Sequence, residues 1–147
     1  MMLADRPILG PKHILIVGSG ELGAAVAKAL VDQGNTVHVL DRTPDAFDRL
    51  PSGAVEEQRI IPVVGDGTSH DDMVRAGIRE VDVFMSTMRN DSDNILSAQV
   101  AKHEFNVDVV VCRVDDPDLQ TMYEELGLIT IGATSLLVEV AVQTATA

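Results

Sequence analysis

The sequence predicts an α/β domain: a doubly wound sheet of six parallel strands in the order 3-2-1-4-5-6, followed by a C-terminal crossover helix. Three observations lead there. Short apolar runs alternate with helix-patterned segments along most of the 147 residues. The first run lies inside KHILIVGSGELG, residues 12–23, where Gly18, Gly20 and Gly23 form a G-x-G-x-x-G turn. An acid, Asp41, closes the second run 23 residues after Gly18.

Residues 1–11 contain Pro7, Gly10 and Pro11 and are expected to form a flexible leader. Strand-like runs follow at 14–17, 36–40, 59–64, 81–85, 109–114 and, shorter, 128–131. Helical patterns fill the gaps at 21–33, 44–50, 69–76, 92–105 and 117–126, with a last one from 135 to the C-terminus. Strands separated by helices pair in parallel through right-handed crossovers. Together, 12–133 reads as one Rossmann-like domain, with its ligand crevice beyond the C-terminal ends of strands one and four. The segment 134–147 reads as an apolar helix. Its run LLVEVAVQ, 136–143, leaves few positions for a solvated face, so it packs on its own sheet or crosses to a second subunit.

Each glycine of the turn answers a physical demand. Gly18 lets the chain bend out of the strand, Gly20 removes the Cβ that would hold a pyrophosphate off the backbone, and Gly23 lets helix and strand approach. The first-turn amides of the following helix have no intrahelical acceptor and carry the positive end of its dipole, so an anion fits there. At Asp41 a carboxylate can accept from both hydroxyls of an adenosine ribose. A 2′-phosphate would meet like charge, which favours NAD(H) or plain adenine nucleotides over NADP(H). Arg42 beside it can accept a phosphate or lie flat on adenine.

Composition narrows the alternatives. A net charge of −12 with eleven scattered basic residues argues against a nucleic-acid surface. The single cysteine, Cys112, sits in an apolar run and reads as a small buried hydrophobe in a reducing cytoplasm. No apolar run reaches the ~18 residues that span a bilayer, so direct membrane insertion is not expected. The chain has one domain's worth of residues, leaving none for a dehydrogenase's substrate domain.

Further along come VGDGTSHDDMVRAGI at 64–78, DVFMSTMRNDSDN at 82–94, NILSAQVAK at 94–102, VCRV at 111–114 and YEELGLI at 123–129. From about residue 12 to 140 this succession resembles the N-terminal RCK domain, also called KTN or TrkA-N, that regulates potassium channels and Trk/Ktr-type transporters. The resemblance implies phosphate contacts at Gly18, Ser19, Gly20, Glu21, Leu22 and Gly23, and ribose contacts at Asp41. It implies adenine contacts at Gly65 and Asp66, with Gly67 and Thr68 leaving room for the ring. A carboxylate at Asp66 can accept from the exocyclic amine, although a turn or cap acid is the plainer alternative. Ser86, Thr87 and Met88 are expected to line the crevice. Arg113 resembles the family's basic residue that faces bound phosphate or a neighbouring subunit, with a structural ion pair as its alternative. The family's C-terminal ligand-binding subdomain has no counterpart here, so no second effector site is expected.

Metal binding is not expected. Asp91-Ser-Asp-Asn94 lacks the glycine and distal glutamate of a calcium loop, and Asp91 suits a helix cap. Asp115, Asp116 and Asp118 precede a proline-started helix and suit its positive end. His13, His38, His70 and His103 show no pairing and are expected to be solvated or at strand edges.

The expected function is a cytoplasmic nucleotide-sensing regulatory subunit, peripheral to the inner face of the plasma membrane. It would bind NAD(H), ATP, ADP or AMP without chemistry and act on a membrane potassium transporter or channel as a homodimer or larger ring. The alternative is a small NAD-dependent oxidoreductase or a fragment of one, needing Ser86, Thr87 or His70 as proton donor. No catalytic residue is assigned. Asp41→Ala is expected to weaken NAD(H) binding with the fold intact.

Overall fold

The computed structural model describes residues 10–147; the predicted leader lies outside the described residues over 1–9. Six strands are β1 (His13–Val17), β2 (Thr36–Asp41), β3 (Ile60–Val64), β4 (Val83–Ser86), β5 (Val109–Arg113) and β6 (Ile129–Ile131). They form one sheet in the order β3-β2-β1-β4-β5-β6, every neighbouring pair parallel. The predicted strand order is the observed one.

Six helices connect and follow them: α1 (Glu21–Asp32), α2 (Ser52–Glu56), α3 (His70–Arg75), α4 (Asp91–Gln99), α5 (Pro117–Glu125) and α6 (Ala133–Ala145). The alternation of side chains along β1 shows how the layers form. Leu15 and Val17 enter one core with Met73, Phe84, Ala98 and Cys112, beneath α3 and α4. Ile14 and Ile16 enter the other with Ala24, Ala27, Val31 and Ala54, beneath α1 and α2. A strand buried on both faces must be apolar throughout, and β1 is.

Most boundaries shift by one or two residues, and three departures from expectation are larger or change the kind of element. The segment 44–50 is a 3-10 turn, Pro44–Arg49, not an α-helix. Leu50 precedes Pro51 and is extended, φ −80° and ψ 144°, so the chain breaks there and restarts as α2, which the pattern did not separate. The pattern 92–105 is α4 continued by a π-helical turn, Val100–Glu104. The last helix begins at Ala133, two residues earlier than predicted, and buries none of its residues. Leu136, Leu137, Val138, Val140 and Val142 are 42–70% exposed, so α6 does not pack on its own sheet.

Candidate functional site

The site grows from the point where β1 parts from its neighbours. Gly18 turns the chain with φ +109°, a conformation L side chains rarely adopt, and its amide donates to the Leu40 carbonyl at 2.9 Å. On the other side Thr87 donates its amide to the Val17 carbonyl at 2.9 Å and its hydroxyl to the carbonyls of Val17 and Gly18 at 3.1 Å. Strand ends on both sides of β1 are therefore stitched to the glycine turn.

Gly20 then caps α1 with no side-chain bond of its own. The first intrahelical bond runs from the Ala24 amide to the Gly20 carbonyl at 3.0 Å, leaving Glu21, Leu22 and Gly23 amides without intrahelical acceptors. A Cβ on Gly20 would meet nothing within 4 Å, so the space in front of these amides is open. A Cβ on Gly23 would fall on the Gly18 carbonyl oxygen, which accounts for close packing of α1 against the turn. The cradle has the shape and the donors an anion requires.

Two cavities meet at this point and share Gly18, Asp41, Thr43 and Met88. The larger, about 760 Å3, lies over Gly18 and Gly20 between the 3-10 turn and the residues after β4. The smaller, about 190 Å3, lies between the ends of β2 and β3, walled by Val17, Leu40 and Met88 and edged by Arg42, Gly65, Gly67 and Asp93. The first suits a phosphoribosyl chain and the second a flat apolar ring.

Asp41 sits at their junction. Its Oδ2 accepts from the Ser19 amide and its Oδ1 from the Thr43 amide, both at 2.8 Å. The carboxylate thus holds the turn together as well as facing the cavities, so replacing it is expected to lower fold stability in addition to weakening binding. Ser19 is wholly buried; its hydroxyl donates to the Ala46 carbonyl at 3.0 Å and ties down the 3-10 turn.

Asp66 is anchored through one oxygen. Its Oδ1 accepts from the Thr68 amide at 2.9 Å and hydroxyl at 2.7 Å, and pairs with the Arg42 guanidinium at 2.9 Å. Its Oδ2 is left to accept from elsewhere. The Thr68 amide and the Arg42 guanidinium hold its carboxyl down to about 2. Because the folded-state value lies below that of the unfolded chain, the stabilisation is full above about pH 4 and is lost as pH falls toward 2. Wild type and Asp66→Asn are expected to differ in urea-unfolding midpoint at pH 6 and to converge near pH 2. An unchanged gap at low pH would contradict the assignment.

Several predicted residues stand elsewhere. Ser86 is wholly buried and donates to the Asn94 carbonyl at 2.9 Å; it does not line the crevice, while Thr87 and Met88 do. Gly67 edges the smaller cavity, and because a Cβ there would collide with Val17, the glycine also packs against β1. Glu21, Leu22 and Arg113 line a separate groove of about 450 Å3 with Ile131, Ala133 and Leu136. Arg113 pairs with Asp115 at 3.2 Å, the structural alternative. The cap of α4 is Asn90, whose side chain accepts from the Asp93 amide. Asp91 instead accepts from the amides of Asp115 and Asp116 at 3.0 and 3.1 Å, joining α4 to the loop after β5. Asp116 caps α5 as expected.

The histidines are less solitary than predicted. His13 and His38 are neighbours, ring centroids 6.5 Å apart, and burial together with His13 lowers the His38 pKa. His70 bonds Glu104 at 2.8 Å. Among the described residues no group of three or more His, Cys, Asp or Glu side chains is placed to hold a metal. Cys112 is buried, and desolvation pushes its thiol up to about 11, away from nucleophilic use.

Sequence reasoning missed Thr43, Asp45, Asp48 and Arg49, brought to the cleft by the 3-10 turn, and Arg89 after β4. It also missed Asn94, wholly buried, whose side chain accepts from the Met88 amide at 2.7 Å and donates to the Met88 carbonyl at 2.8 Å. A polar residue at a core-facing position of α4 was the available signal.

The glycine turn, the acid ending β2 and the crevice at the β1/β4 switch point define a doubly wound domain of the Rossmann type. The TrkA-N domain model matches residues 14–133, and the chain belongs to that family. It is 40% identical over 119 residues to the Trk system potassium uptake protein TrkA of Streptomyces coelicolor, covering 81% of this chain and 52% of that protein. The chain therefore spans about half the length of this relative. Its fold matches the TrkA-N domain of the inner membrane protein ybaL from Escherichia coli with TM-score 0.77 at 16% identity, over 90% of this chain and 96% of that one. It also matches the AMP-bound Kef CTD of Shewanella denitrificans, TM-score 0.71 at 20% identity, over 91% and 80%.

Proposed function

We propose that the chain is a nucleotide-sensing regulatory domain of a membrane potassium transporter or channel. It binds NAD(H) or an adenine nucleotide, ATP, ADP or AMP, and makes or breaks no bond. The carrying observation is the pair of joined cavities, one over the open amides at Gly20 and one edged by Gly65, next to Asp66 in the chain, and by Arg42, the partner of Asp66, with Asp41 between them. Phosphate, ring and ribose each meet a group of matching chemistry in one continuous crevice. Glu21 and Leu22 contribute through backbone amides, and Arg42 through its hold on Asp66.

The oxidoreductase alternative needs a proton donor, and its three candidates are committed elsewhere. Ser86 bonds to Asn94, Thr87 to the carbonyls of β1 and the glycine turn, and His70 to Glu104. The TrkA relative supports the potassium-transport setting and the AMP-bound Kef structure supports an adenine ligand. Among the described residues no helix is long and apolar enough to cross a membrane. The proposed place of the domain is the cytoplasmic face, reached through its transporter partner. The exposed apolar face of α6 gives a second copy a surface to bury, building a homodimer or larger ring.

Titration calorimetry with NAD+, ADP and AMP tests the reading. Asp41→Ala removes a charged acceptor from the ribose, and binding is expected to weaken on the order of tenfold or more. No binding of any of the three by the wild-type chain would refute the proposal. Unchanged affinity in Asp41→Ala would refute the ribose contact.

A further inference from the structure

The crevice is larger than the ligand parts that Asp41 and Asp66 address. Once a purine occupies the slot of about 190 Å3, a single ribose phosphate does not fill the adjoining cleft of about 760 Å3. Two arginines line that cleft. Arg49 comes from the 3-10 turn and Arg89 from just past β4, and both are exposed.

Several other charges near the crevice already have partners. Arg42 pairs with Asp66, Arg113 with Asp115, and Asp41 accepts two amides. Of the six ion pairs among the described residues, none involves Arg49 or Arg89. Asp45 and Asp48 line the cleft on the Arg49 side, so that wall is mixed in charge, whereas Arg89 is the lone charged residue lining it from the β4 side. The backbone before Arg89 is also fixed, because Asn94 clamps both the amide and the carbonyl of Met88. A guanidinium on a held backbone loses less freedom when it binds. Its planar fork matches two phosphate oxygens.

Resting on the adenine-nucleotide reading, we propose that Arg89, with Arg49 opposite, binds the second phosphate of an adenosine diphosphate moiety. That group is shared by free ADP and by a dinucleotide. The cleft thereby prefers a diphosphate to a monophosphate, and Arg89 takes the cationic role that Arg113, turned into the other groove, does not.

The test is calorimetry of the whole chain with adenosine, AMP, ADP and NAD+, in wild type, Arg89→Gln and Arg49→Gln. Wild type is expected to bind ADP about tenfold more tightly than AMP. Arg89→Gln is expected to erase that gain, while adenosine, the phosphate-free reference, changes less than about twofold. Equal loss for ADP and NAD+ places an internal pyrophosphate at Arg89; loss for ADP alone places a terminal phosphate there. Equal wild-type affinity for AMP and ADP, or an Arg89→Gln loss as large for adenosine as for ADP, overturns the proposal. Failure of adenosine and every nucleotide to bind removes the underlying nucleotide reading instead. Both arginines are exposed and form no ion pair among the described residues, so thermal midpoints of the variants should match wild type.

Discussion

Gly20→Val is expected to fold normally and to lose adenine-nucleotide binding by on the order of a hundredfold or more, about 2.7 kcal/mol. The two halves of that result have separate causes. The backbone at Gly20 is extended, φ −77° and ψ −164°, a conformation a branched residue adopts readily. Its new side chain would meet no protein atom within 4 Å of the Cβ, so packing is undisturbed. The same open space lies in front of the first-turn amides of α1, and a valine there keeps a phosphate from reaching them. Each charged hydrogen bond lost is worth roughly 1.5–3 kcal/mol. A urea-unfolding curve lowered by no more than the ~1 kcal/mol of a poorer helix cap, beside a flat calorimetric titration, is the expected pair of results. Normal binding would show that the pyrophosphate lies elsewhere.

Gly23→Ala, three positions on in the same motif, is expected to do the reverse and attack the fold first. Its Cβ would clash with the Gly18 carbonyl oxygen and stand 2.7 Å from the Thr87 hydroxyl. Both neighbours are held: Gly18 donates to Leu40, and Thr87 donates to Val17 and Gly18. Relief requires moving α1 off the turn, which also strips apolar contacts at Ala24 and Ala27 from the core. Overpacking of a tight site costs about 1–3 kcal/mol, and backbone on backbone lies at or above the top of that range. A loss of about 3 kcal/mol in urea unfolding is expected, with weakened nucleotide binding following from the displaced amides. Stability within about 1 kcal/mol of wild type would show that the turn can yield.

The contrast between these two glycines shows what kind of information each level holds. The motif identifies both positions, and their different tasks follow from known geometry of a strand, turn and helix. Asp41 was equally readable, since the end of the second strand in a doubly wound sheet always lies beside the first turn. Its grip on Ser19 and Thr43 was not, because those bonds depend on how the following 3-10 turn folds back. Ser86 illustrates a face error. It shares the β4 face of Phe84, which enters the core beneath α4, so its hydroxyl meets a helix carbonyl and not the crevice. Arg113 follows the same rule: Cys112 points into that core, the next residue points to the opposite side, and the groove beside α1 lies there.

Local chemistry along the chain therefore determined the strand and helix alternation, the sheet order, the glycine turn and the position of the acid at Asp41. Those features depend on periodicity and short spacing, which survive without knowledge of distant neighbours. Only the tertiary structure decided that Arg49 and Arg89 share a cleft, that Asn94 clamps Met88 and that α6 keeps its apolar face uncovered. Each of these depends on the direction in which a side chain leaves the backbone and on which segment crosses in front of it. Those directions are set by packing between residues far apart in the chain.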